Sequence, residues 1–112
     1  MSIFEKNIYA EELYIEDCTV KIHIDQRRDE EGSGFYEAFI VVKNNGENYT
    51  DLITSPFIYN SWIKEIWSTA KDFLDKYNVK KDIDIKQLTQ DTIMDINQKH
   101  NLEKGEIQLT KG

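Results

Sequence analysis

Residues 35–54, Phe35-Tyr36-Glu37-Ala38-Phe39-Ile40-Val41-Val42-Lys43-Asn44-Asn45-Gly46-Glu47-Asn48-Tyr49-Thr50-Asp51-Leu52-Ile53-Thr54, decide the fold. Phe35–Lys43 is apolar at both parities: Tyr36, Ala38, Ile40 and Val42 on one face, Phe35, Phe39 and Val41 on the other. A strand of that kind is central and covered on both sides. Asn44-Asn45-Gly46 tolerates the positive φ that a tight hairpin needs. Tyr49–Thr54 therefore pairs back as the next strand. Upstream, Cys18, Val20, Ile22 and Ile24 alternate with Thr19, Lys21, His23 and Asp25, the pattern of a half-buried strand. The polar residues 26–34 between them form a flexible hairpin loop. Three sequential antiparallel strands make a meander.

Downstream the period changes from two to 3.6. Ser55 can cap and Pro56 suits a first helical turn, so a helix is expected over Pro56–Tyr77. Trp62, Ile63, Ile66, Trp67, Ala70, Phe73, Leu74 and Tyr77 fall within an arc of about 140° at ~100° per residue. That arc faces the sheet, and core packing accounts for both tryptophans. Asp84 with Gln87 three residues on marks the start of a second helix. Ile85, Leu88, Thr89, Thr92, Ile93 and Ile96 form its apolar arc. Gly105 suits its end, and Ile107 and Leu109 alternate with polar residues over Glu106–Thr110, which allows a short edge strand. At the other terminus Ser2 and Glu5 have capping-box spacing, so Ile3–Glu12 can form a short helix.

The expected fold is α+β in a single domain over residues 1–112. It is a three-stranded antiparallel meander packed by a long amphipathic helix, then a second helix and room for a short C-terminal strand. Phe35, Phe39 and Val41 need a cover on the second sheet face, from the second helix or from a second subunit.

A chain of 112 residues buries about two-thirds of its unfolded surface, enough for one core without staples. The single cysteine, Cys18, excludes an internal disulfide and suits a reducing cytoplasm. No apolar run approaches the ~18 residues of a membrane span, and the first residues lack a signal peptide's apolar region. Abundant Ile and Lys with two Arg suggest an A/T-rich genome, such as a low-GC bacterium or its phage.

Chemistry-bearing patterns are sparse. Cys18 and His23 stand an odd number apart on one strand and point to opposite faces, so they do not share a metal site. His23 and Asp25 share a face, but two groups are half a site. No nucleophile elbow, zinc-helix motif, phosphate loop or calcium loop occurs. The chain therefore reads as a non-enzyme without cofactor. A double-stranded RNA-binding domain shares the order helix–three strands–helix, but its second helix opens with lysines for phosphate. Here that position is Ser61-Trp62-Ile63-Lys64-Glu65, so RNA binding is rejected.

What remains is acid. With 21 Asp and Glu against 14 Lys and Arg, the net charge is −7. Such a chain repels nucleic acid and anionic membranes, and its electrostatic partners are basic proteins. Asp84, Asp91 and Asp95 project within roughly 40° on the second helix at ~100° per residue. The loop adds Asp29, Glu30 and Glu31. Ordinary roles compete with function here: Asp84 as a cap, Asp95 in a pair with Lys99. Spread evenly over ~6,400 Å² of surface, the carboxylates would stand one per ~300 Å². Duplex DNA presents one charge per ~110 Å². Only clustering brings a face to that density.

Thr19-Val20-Lys21, the run Ile40–Tyr49 and the ending Glu106-Ile107-Gln108-Leu109-Thr110-Lys111, with an aromatic-bearing helix between, resemble small acidic phage-borne anti-CRISPR inhibitors of Cas9. The likeness covers about the last four-fifths of the chain as element order. It implies an α+β protein whose carboxylates occupy the arginines with which Cas9 reads its PAM. The long 27–34 loop departs from the pattern, and no contact residue carries over. The expected function is thus a non-catalytic inhibitor binding a basic nucleic-acid-binding protein, Cas9 among them, through Asp29, Glu30, Glu31, Asp84, Asp91 and Asp95. Its setting would be the cytoplasm of a host bacterium, as a monomer or homodimer. The alternatives are an immunity or antitoxin protein against a basic nuclease, and a homodimeric structural interaction module.

Overall fold

The computed structural model describes residues 2–100. Four strands precede two helices: β1 (Ile3–Ile15), β2 (Cys18–Arg28), β3 (Gly34–Asn44), β4 (Glu47–Ser55), α1 (Asn60–Lys76) and α2 (Ile85–His100). The strands lie side by side in chain order and pair antiparallel throughout. The architecture is α+β, but the meander has four strands rather than three.

The additional strand is β1, where the capping-box spacing suggested a helix. Its inward residues Tyr9, Leu13 and Ile15 do alternate, but Glu11 interrupts the apolar parity. Register shifts between Phe4 and Lys6 and between Asn7 and Tyr9 hide the rest. At the second shift Ile8 and Tyr9 are both buried, because a bulge sets two residues opposite one. Ser2 and Glu5 serve the sheet instead: Arg27 Nε donates to Ser2 Oγ at 2.7 Å and Arg28 Nε to Glu5 Oε1 at 2.9 Å.

The β3–β4 turn forms as its residues dictate. Asn45 and Gly46 have φ of 48° and 88°, and Asn44 pairs with Glu47 across them, as in a two-residue type I′ hairpin. The Ser55-Pro56 start fails. Ser55 closes β4, and its hydroxyl bonds the backbone of Phe57, accepting from the N–H at 3.3 Å and donating to the carbonyl. That bend delays α1 to Asn60, with Tyr59 at the N-cap and no side-chain cap bond. Asp84 does cap α2: its Oδ1 accepts from the Gln87 N–H at 3.0 Å. The Gln87 side chain completes no capping box; it donates to Asp91 Oδ1 at 2.8 Å.

Both helices lie on one face of the sheet. α1 rests on β3 and β4, α2 on β1, and the two pack against each other. Trp62, Ile63, Ile66, Trp67, Ala70 and Leu74 of α1 meet Val20, Ile22, Ile24, Ala38, Ile40 and Val42 in one core with Ile96 of α2. β4, an edge strand, is held to α1 by Tyr49, which stacks on Phe73 with centroids 5.4 Å apart. Of the two covers considered for the other sheet face, the second helix and a second subunit, the first is excluded, because α2 packs beside α1. α2 follows a linker pinned to the β1–β2 turn, with the Lys80 and Lys81 N–H groups donating to Glu16 Oε2 at 2.9 and 2.8 Å. The described helices therefore cover β3 on one face only; on the other, Phe39 and Leu52 are 43% and 52% exposed, Phe35 is half-buried, and Val41 is buried by its neighbours in the sheet. The expected strand at Glu106–Thr110 and the terminating Gly105 lie outside the described residues. No described helix is long and apolar enough to cross a membrane.

Candidate partner-binding surface

β2 gives the sheet two ends. Its 11 residues at ~3.3 Å each separate them by roughly 33 Å. Asp29, Glu30 and Glu31 sit at the end where β2 hands over to β3, beside Ser2 and Phe35. Asp84 sits at the opposite end, beside Leu13, Tyr14 and Ile15, near the β1–β2 hairpin. The loop acids and the α2 acids are therefore separate groups.

The loop group is bound up with local structure. Asp29 Oδ1 accepts from the Glu31 and Ser33 N–H groups, each at 2.9 Å. This Asx-type wrapping folds the turn. Gly32, at φ 87°, lets its carbonyl accept from Arg28 at 2.6 Å. Asp29 thus stabilises the loop, while Glu30 and Glu31 are exposed at its tip.

The α2 group is joined by a residue that the sequence reading missed. Tyr9 of β1 meets Thr92 of α2 at 3.4 Å, which brings Asp91 and Asp95, on either side of Thr92 in the chain, and Glu11 of β1 within electrostatic reach of the Tyr9 hydroxyl. Burial, the largest cause, with those charges pushes the Tyr9 hydroxyl up to about 12. The Thr92 hydroxyl, 3.4 Å away, opposes the rise. Asp91 and Asp95 are one helical turn apart, about 6 Å along the axis. One charge per ~110 Å², the density of duplex DNA, corresponds to a mean spacing of roughly 10 Å. Lys99 Nζ lies 3.3 Å from Asp95 Oδ2, both partly in solvent. Such exposed pairs are weak and yield to a competing cation. Glu11 shares the strand parity of Tyr9, Leu13 and Ile15, a signal that the expected helix over Ile3–Glu12 leaves unread.

Next to this flank Asp82 and Asp84, with Lys81 beside them, line a groove together with Leu13, Ile15, Ile83 and Leu88. Leu13, Ile83 and Leu88 are half-buried there and Ile15 is buried, so the groove sets charged side chains against the margin of the core. Among the described residues no three His, Cys, Asp or Glu side chains converge as a metal site. Cys18 is buried in the core and His23 stands exposed on the opposite face. His100 Nε2, at the end of α2, lies 3.0 Å from the Ile8 carbonyl, tying the helix to β1.

No protein-family model matches the sequence, and comparison with curated proteins and with solved structures finds none similar to it.

Proposed function

We propose that this chain is a non-catalytic acidic inhibitor that binds the basic, nucleic-acid-handling surface of another protein, in the manner of anti-CRISPR proteins that occupy the DNA-binding cleft of Cas9. One observation carries the reading: α2 packs on β1 through the Thr92–Tyr9 contact, which sets Asp91 and Asp95 of α2 on the same flank as Glu11 of β1, all three within electrostatic reach of Tyr9. The net charge of −7 steers such a flank towards arginine- and lysine-rich clefts. The neighbouring groove of Leu13, Ile15, Ile83 and Leu88 offers an apolar anchor that charge alone lacks.

The test is DNA cleavage by purified Cas9–guide complexes, with and without the chain, at 50 and 300 mM salt. Inhibition that weakens with salt and is lost in the Glu11→Gln/Asp91→Asn/Asp95→Asn protein supports the proposal. Undiminished cleavage across a panel of Cas9 orthologues and other basic nucleases overturns it.

A further inference from the structure

The open sheet face presents cross-strand rows fixed by the register. Asp25 lies beside Glu37, His23 beside Phe39 and Leu52, Lys21 beside Val41 and Thr50, and Thr19 beside Lys43 and Asn48. Along β3 the open-face residues therefore run Glu37, Phe39, Val41, Lys43: acid, apolar, apolar, base. That series is complementary to its own reverse.

We propose that this face pairs with the same face of a second copy, giving a four-layer dimer with the helices outside. Two sheets stacked about 10 Å apart can be related by a twofold axis lying between them, either along or across the strands. An axis along the strands, between β2 and β3, sets Asp25 of one copy against Glu37 of the other, acid on acid. The axis across the strands at Ile40 sets Glu37 against Lys43 and Phe39 against Val41, and each contact occurs twice. Charge selects the second arrangement. In it Leu52 meets Thr50, Asp25 meets Thr19 and Lys21 meets His23, so no acid faces an acid and the lysine faces an imidazole.

The area suffices for a reversible association. Four strands at ~4.8 Å spacing and about nine residues at ~3.3 Å give roughly 600 Å² per copy. The roughly 1,200 Å² total lies at the lower edge of specific interfaces. Arg27 Nε stands 3.9 Å from Glu37 Oε1, a loose contact that leaves the carboxylate able to accept a second cation. The axis also brings both β1 edges, with their Glu11, Asp91 and Asp95 groups, to one side of the dimer. The pairing does not depend on what that flank binds.

Sedimentation equilibrium from 1 to 300 µM tests it. Wild type should dimerise with a micromolar dissociation constant. Glu37→Lys and Lys43→Glu should each weaken the dimer at least tenfold, and the double exchange should restore it to within about threefold. A monomer at 300 µM overturns the proposal, as does a dimer indifferent to the single exchanges or not rescued by the double. A second measurement needs no variant. Hydroxyl-radical labelling of wild-type Phe39 and Leu52 should fall several-fold between 1 and 300 µM, and unchanged labelling refutes the proposed face.

Discussion

Trp67 Nε1 donates to Thr92 Oγ1 at 2.9 Å inside the core, so the two helices are joined by a buried polar contact. The same hydroxyl lies 2.7 Å from the Leu88 carbonyl and 3.4 Å from the Tyr9 hydroxyl of β1. Three elements thus meet on one threonine that is 1% exposed. Thr92→Val keeps the shape but strands the indole N–H, a loss of about 1–3 kcal/mol. Thr92→Ser keeps the hydroxyl and removes a methyl, at about 1 kcal/mol. Urea unfolding followed by tryptophan fluorescence should show Val the more damaging; the reverse order would assign Thr92 to packing alone.

Tyr9 gives the fold an alkaline limit. Its folded pKa is raised from 10.0 to about 12, first by burial and then by Glu11, Asp95 and Asp91. A raised pKa favours the neutral phenol, so its contribution is fully present below pH 10 and is lost as pH rises through 12. Tyr9→Phe has no phenol to ionise. The stability advantage of wild type over Tyr9→Phe should therefore shrink between pH 9 and 12, measured by denaturant titration at each pH. A constant difference would place the Tyr9 hydroxyl in contact with water.

Much of this was legible before folding. Phe35–Lys43, the Asn45-Gly46 turn and the Trp62–Leu74 arc each carry a local period or a local backbone preference, and each forms as strand, turn and helix, although the helix starts at Asn60 rather than Pro56. Asp84 was legible because a cap acts within three residues. Three features were not. The bulge at Ile8 conceals the parity of β1. The bend made by Ser55 and Phe57 moves the start of α1 past Pro56. The pinning of residues 80–81 by Glu16 decides which sheet face α2 covers, and that contact spans more than 60 positions. Glu11 followed β1 into obscurity, while Asp91 and Asp95 were found because one helix face holds them both.

The two edges of the sheet carry the same device. The Glu12 N–H is accepted by Glu11 Oε1 at 3.2 Å, and the Leu52 N–H by Asp51 Oδ1 at 2.8 Å. On β1 and on β4 an edge amide is therefore covered by the preceding acid, which also sets a charge on the edge. Unpaired edges recruit other strands unless blunted in this way. Glu11→Thr/Asp51→Thr should leave the monomer folded but raise light scattering on incubation at 37 °C, with edge-to-edge association independent of Glu37 and Lys43. A double variant as soluble as wild type would show that these two acids do not protect the edges.

Carboxylates that fold the chain and carboxylates proposed to bind a partner respond oppositely to neutralisation. Asp84→Ala removes a helix cap worth about 1 kcal/mol. Asp29→Ala opens two loop hydrogen bonds, each worth about 1 kcal/mol. Both changes should lower the unfolding midpoint. Asp95 is different: its pair with Lys99 is exposed, and such a pair contributes roughly 0–1 kcal/mol. Asp95→Asn should leave stability nearly unchanged yet weaken inhibition of a basic nuclease several-fold. Lys99→Ala frees the same carboxylate and should strengthen inhibition, more at 50 than at 300 mM salt, because screening diminishes both effects. Weakened inhibition in Lys99→Ala would mean that the lysine, not the acid, meets the partner.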